Sequence, residues 1–110
     1  MQTNFKQIIV RDKKHLEFIR KLNCCVCSCW PSEACHVRAG LSGGIGMKPP
    51  DSFVIPMCHS CHFTQHNIGE KKFWGDTDKP KELANALWLM TSNLEKAKER
   101  IVLFRKTIRT

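Results

Sequence analysis

The sequence predicts an α+β domain of treble-clef type: a cysteine knuckle, a β-hairpin and a helix, with further helices on either side. Three observations carry this. Cysteines fall into two Cys-x-x-Cys pairs, Cys24 with Cys27 and Cys58 with Cys61, thirty residues apart. A run of strand formers, "SFVIPMC", leads straight into the second pair. From Cys58 the pattern turns helical and places histidines four residues apart. At 110 residues the chain predicts a single domain, with its core over about residues 24–75 and an apolar interior small enough to need a staple.

Taken in order, "RDKKHLEFIRKL" spaces Leu16, Ile19 and Leu22 three apart with Phe18 nearby. That predicts an amphipathic helix over about residues 11–22, ended by Asn23. "CCVCSCWPSEACHVRAG" reads as a knuckle and turn, broken at Pro31, with "ACHVRAG" as a short strand. "GLSGGIGMKPPD", Gly40 to Asp51, is a loop by its glycines and prolines. The strand "SFVIPMC" is expected to end at Pro56 and Met57. The following helix is expected to run to about Ile68, where Gly69 stops it. "GDTDKP" is a turn that opens the C-terminal helices, about residues 79–107, with Asp78 near the cap and Pro80 in the first turn. "SNLE", Ser92 to Glu95, has the capping-box form and predicts a last helix towards Phe104. The final "RKTIRT" reads as a basic, frayed tail.

Eighteen Lys and Arg against ten Asp and Glu give a formal charge of +8. Such a balance favours a polyanionic partner, nucleic acid before membrane. "MQTNFKQIIVRDKKH" shows no secretory pattern, and no stretch approaches membrane-spanning length. Seven cysteines are an odd number for a disulfide scaffold, and five of them crowd between Cys24 and Cys35. The expectation is thiolate–metal chemistry in a reducing cytoplasm.

Cys-x-x-Cys folds the backbone over a metal so that both sulfurs meet it, and two such pairs complete a tetrahedral shell. Cys24, Cys27, Cys58 and Cys61 therefore predict a structural Zn²⁺. Cys25 and Cys29 are expected to be spare, with either one standing in for a member of the first pair as the open alternative. His62 and His66 lie one turn apart on one helix face. They can chelate a second divalent metal whose shell water and substrate complete. The plainer alternative is a solvated histidine pair. His59 is read as knuckle surface. His36, on the strand leaving the first knuckle, is the candidate general base. Cys35 precedes it, and because neighbouring strand residues face opposite ways, one of the two is expected to face the site. Trp30, Phe73, Trp74 and Trp88 are read as core rather than as base-stacking platforms.

The order "CCVC … ACHVRAG … GGIGMKPPDSFVIPMCHSCHFTQH … GEKKFW" resembles the HNH, or ββα-metal, endonucleases. Within them it resembles the phage-type group typified by the recombination-enhancing nuclease Ref, and the likeness covers about residues 24–75. The resemblance implies metal-dependent DNA endonuclease activity in phage or bacterial DNA recombination and processing, in the cytoplasm of a bacterial host. A recombinase filament is an implied partner. It maps the general base onto His36 and the helix-borne metal ligands onto His62 and His66, with Mg²⁺, Mn²⁺ or Zn²⁺ as the catalytic ion. The residue before the base is commonly His or Asp in such enzymes; here it is Cys35, a doubtful further ligand. The usual asparagine is replaced by Phe53, and Asp51 is the substitute expected to hold the ring of His36. Arg38, two residues beyond His36, is placed to grip a phosphate. Lys48, Lys71 and Lys72 join Arg38 as candidate nucleic-acid contacts. The alternative from a different class is a non-catalytic zinc module that binds DNA or protein. Nothing in the sequence predicts an oligomeric state.

Overall fold

The computed structural model describes residues 11–38 and 49–108. The Gly-rich segment with Lys48 and the last two residues lie outside them. Two strands, β1 (Ser32–His36) and β2 (Val54–Cys58), form an antiparallel hairpin. Ser32 pairs with Cys58, Ala34 with Pro56 and His36 with Val54. Pro56 thus sits inside its strand rather than ending it. In a two-stranded sheet every strand has an open edge, where the missing N–H of proline costs no ladder bond. The edge is put to use: the Pro56 carbonyl accepts from Cys25 N at 2.9 Å, tying the knuckle to the hairpin.

Helix α1 (Lys13–Arg20) precedes the knuckle. Asp12 caps it, its carboxylate accepting from His15 N at 3.1 Å. It packs on both strands through Phe18 and Ile19, with Leu22 buried just beyond it. Helix α2 (His59–Ile68) starts where β2 ends, and Gly69 closes it at φ 93°, a left-handed value that glycine tolerates best. A short helix not anticipated from sequence, α3 (Glu70–Trp74), follows at once.

Helices α4 (Lys79–Leu89) and α5 (Leu94–Ile108) pack on each other, and α4 also packs on β2. They bury Leu83, Ala84, Leu87, Ala97, Ile101 and Phe104 in the same core as α1 and the hairpin. The cap of α5 is Asn93, whose side chain accepts from Lys96 N at 3.2 Å, one residue past the expected Ser92. Residues Arg105 to Ile108 are helical instead of frayed, because Phe104 and Ile108 lie one turn apart on the face that meets the core. Trp30 is 64% exposed and so is not a core residue, while Phe73 and Trp74 pack against the core. Among the described residues, no helix is long and apolar enough to cross a membrane.

Candidate metal centre and an adjoining histidine cavity

The knuckle brings four sulfurs together. The Sγ atoms of Cys24, Cys27, Cys58 and Cys61 all lie within 4.8 Å of one another, with Cys27 and Cys58 3.5 Å apart. A tetrahedron of metal–sulfur bonds near 2.3 Å sets its sulfurs ~3.8 Å apart, so the spread suits one ion. The backbone is arranged for the first pair. Val26 N donates to Cys24 Sγ at 3.4 Å, and Ser28 N donates to the Cys24 carbonyl at 3.0 Å. Ser28 takes the left-handed conformation at φ 72°, and Asn23 Nδ2 holds its carbonyl at 2.7 Å.

The second pair straddles the junction of β2 and α2, with Cys58 as the helix N-cap. Burial works to raise the Cys24 thiol, but neighbouring backbone donors outweigh it and bring it below its ordinary value. Burial and the neighbouring sulfurs push Cys61 up. A cation is what lets all four lose their protons side by side. Soft sulfur donors in a closed tetrahedral set suggest a structural Zn²⁺. Cys25 and Cys29 stay outside this cluster. Cys29 is exposed, whereas Cys25 is a core residue whose thiol burial holds well above the ordinary range.

A cavity of about 440 Å³ is lined by His36, Arg38, His62, His66 and Glu70, among others. His36 ends β1 and Arg38 lies two residues beyond it, and both line the cavity. His62 and His66 are one helical turn apart, and their Nε2 atoms stand 3.1 Å from each other. Two imidazoles bound to one cation at ~2.1 Å each, at an angle near 90–110°, hold their nitrogens at this kind of separation.

His36 Nε2 lies 2.8 Å from Asp51 Oδ1. Asp51 is almost wholly buried, and its other oxygen accepts from Asp12 N at 2.8 Å. Arg11 Nη1 approaches Asp51 at 3.7 Å and donates to the Pro49 carbonyl at 3.0 Å. Burial alone would raise the Asp51 carboxyl, but the His36 and Asp12 bonds prevail and lower it. Asp51 is therefore a carboxylate at neutral pH, which makes Nε2 of His36 the donor and Nδ1 the ring's acceptor atom.

Cys35 faces the other way. Its side chain is buried against Gln65, within 3.8 Å of Oε1, and is not part of the cavity lining. Burial drives its thiol to a pKa of about 12. Gln65, itself buried, also accepts from Trp74 Nε1 at 2.8 Å, so one amide links β1, α2 and α3. The structure thus brings His36 and Asp51 together, groups His36, Arg38, His62 and His66 around one cavity, and leaves Cys35 in the core.

Lys71 lines a neighbouring cavity of about 380 Å³ that shares Arg38 and Glu70 with the first, and Lys72 is exposed on α3. Lys48 lies outside the described residues. Two carboxylates were not anticipated. Glu70 accepts from Arg38 N at 2.9 and 3.0 Å, and Glu33 accepts from His62 Nδ1 at 2.8 Å and His59 Nδ1 at 3.0 Å. Neither carries a sequence signal, since each partner lies 26 or more residues away.

No curated protein and no solved structure matches the chain. A family model does match, over residues 3–77, and so covers the knuckle, the hairpin, α2 and α3. Its description is a protein of unknown function and names no activity. The chain belongs to this family, DUF968.

Proposed function

We propose that the protein is a metal-dependent DNA endonuclease of the HNH type, hydrolysing phosphodiester bonds in phage or bacterial DNA recombination and processing. The observation that carries this reading is the pairing of two functions in one cavity. His36, held by buried Asp51, lines it alongside a chelate-ready pair, His62 and His66. A structural zinc on the four cysteines fixes the start of α2 and thereby the position of both ligating histidines.

The mechanism follows from the donors and acceptors. Nδ1 of His36 takes a proton from a water, whose oxygen attacks phosphorus as the ester P–O bond breaks, and the leaving alkoxide takes a proton from solvent. Asp51 stabilises the imidazolium that results, as a carboxylate bonded to the opposite nitrogen does. His62 and His66 would hold Mg²⁺, Mn²⁺ or Zn²⁺, which when bound supplies positive charge at the scissile phosphate. Arg38, two residues beyond the end of β1, lines the same cavity and offers a guanidinium to the phosphate oxygens. Lys71 and Lys72 are part of the +8 charge that draws DNA in. A strand-exchange filament of a recombinase is the natural protein partner for such a nuclease.

The second reading is a non-catalytic zinc module that binds DNA or protein. The closed four-cysteine cluster alone supports it, because it would leave the histidines dispensable. The test is cleavage. Purified zinc-loaded protein with Mg²⁺ or Mn²⁺ should nick or cut duplex, single-stranded or filament-bound DNA. His36→Ala should abolish cutting by about 10²-fold or more, with DNA affinity and zinc content unchanged. DNA affinity should fall steeply with salt. No cleavage with any metal and DNA form would favour the zinc module, and cleavage that survives His36→Ala would remove His36 as the base.

A further inference from the structure

The carboxylate of Glu33 stands where it controls the histidine pair. Its Oε1 accepts from His62 Nδ1 at 2.8 Å and its Oε2 lies 3.0 Å from His59 Nδ1. The two bonds run from His59 and His62, three residues apart in the first turn of α2, back to β1. Glu33 belongs to the strand that carries His36, three residues before it. Its own carboxyl is held below the usual carboxylate range, first by the His62 bond and then by the His59 bond.

A neutral imidazole has one N–H. A carboxylate at Nδ1 claims that hydrogen and leaves Nε2 as the bare, basic nitrogen. In His62 that nitrogen is the one 3.1 Å from His66 Nε2. A carboxylate–histidine pair of this form fixes ring orientation and raises the basicity of the ligating nitrogen. His59 is 82% exposed by its side chain, and its second bond to Glu33 braces the carboxylate from the solvent side.

We infer that Glu33 is a positioning residue for the second metal, fixing the tautomer and orientation of His62 so that Nε2 faces His66 and setting the site's affinity for divalent cations. The inference rests on the nuclease reading for its metal, but its structural half stands apart from any activity. It also accounts for the lack of a ligand at Cys35: what β1 contributes to the histidine pair is a carboxylate beside it rather than a thiolate on the ion.

Two readouts on the zinc-loaded full chain test it. Imidazole ¹⁵N chemical shifts of the protein without a second metal should show His62 as the Nδ1–H tautomer. In Glu33→Ala that signal should shift towards the tautomer mixture of a free histidine. Titration with Mn²⁺ or Co²⁺ should show second-site affinity falling by about 10–100-fold in Glu33→Ala. Glu33→Gln, which keeps an acceptor and loses the charge, should fall between it and the unaltered protein. Zinc content and thermal midpoint should hold, since the Glu33 side chain is 46% exposed. Equal metal affinity and an unchanged His62 tautomer in Glu33→Ala would overturn the inference and leave the nuclease reading intact. A protein that binds no second metal but shows a Glu33-dependent His62 tautomer would overturn the nuclease reading and the metal-affinity half of the inference, leaving Glu33 only as the residue that orients His62.

Discussion

The two ends of the α2 machinery are built on opposite plans. At its N-terminus four sulfurs face one another with backbone N–H groups aimed at them, and the set closes on itself. One turn further on, two imidazoles line a cavity of about 440 Å³ that His36, held by buried Asp51, also lines. The first has the coordination number of a site that holds shape; the second leaves room for water and a phosphate. Under the proposed function one short helix would serve both tasks: a zinc on the four cysteines would pin the strand-to-helix junction, and the pinned helix would present His62 and His66 at a fixed spacing.

The sharpest break in that contrast comes from the closed site. Cys24→Ala, Cys27→Ala, Cys58→Ala or Cys61→Ala should each lose zinc and unfold the domain. Structural zinc supplies on the order of 10 kcal/mol, as much as the whole net stability of a small domain. Zinc content and far-ultraviolet circular dichroism of the variants check this; a folded, zinc-free variant would show that the core suffices without the metal.

Cys35→Asp tests whether position 35 belongs to the open site. The resemblance to HNH enzymes suggests a gain from an acidic ligand there, but the observed burial against Gln65 suggests otherwise. An aspartate with no cation beside it should cost about 3 kcal/mol or more in urea unfolding. A stability equal to that of the unaltered chain, with tighter second-metal binding, would move residue 35 into the cavity.

Asp51→Ala weakens the wall of the open site while sparing the sulfurs. It strands the Asp12 backbone N–H and the His36 ring N–H, each at a cost of about 1–3 kcal/mol. The expected result is a loss of a few kcal/mol in denaturant unfolding, full zinc content and much reduced cleavage.

These three cases also mark how far the sequence was legible. Metal ligands at i, i+3 and i, i+4 are local geometry, so the cysteine and histidine pairs could be read from spacing alone. The His36 and Asp51 pairing needed the hairpin to bring together residues 15 apart, and the resemblance pointed to it only through the position where an asparagine was missing. Glu33 and Glu70 were invisible because their roles depend on how β1 meets α2 and α3. Pro56 was misread because a strand-breaking rule for central strands does not bind an edge. Trp30 was misread because aromatic size suggests burial, whereas the knuckle holds it outward.

The smallest effect concerns a residue outside both the cysteine cluster and the histidine pair. His15 is fully buried against Trp88, with rings 4.8 Å apart, and its Nδ1 lies 2.8 Å from the Thr91 hydroxyl. That hydroxyl gives its hydrogen to the Trp88 carbonyl, so His15 Nδ1 donates and Nε2 is left buried without a partner among the described residues. Burial therefore lowers the His15 pKa, against smaller opposing pulls from Asp12 and Asp51. The unfolded chain then binds the extra proton first. Stability should be full above about pH 6.5 and fall as pH drops below it, by at most ~1.4 kcal/mol per unit. His15→Gln should flatten that slope between pH 7 and 5.5, read from urea midpoints.

The most direct measurement of the division between closed and open sites is a metal count. Native mass spectrometry of zinc-loaded protein titrated with Mn²⁺ or Co²⁺ should find one tightly held zinc and one further exchangeable ion per chain. His62→Ala and His66→Ala should each lose the second ion alone, with the zinc and the fold retained. A single metal per chain at every concentration, with both histidine variants indistinguishable from the unaltered protein, would contradict the account.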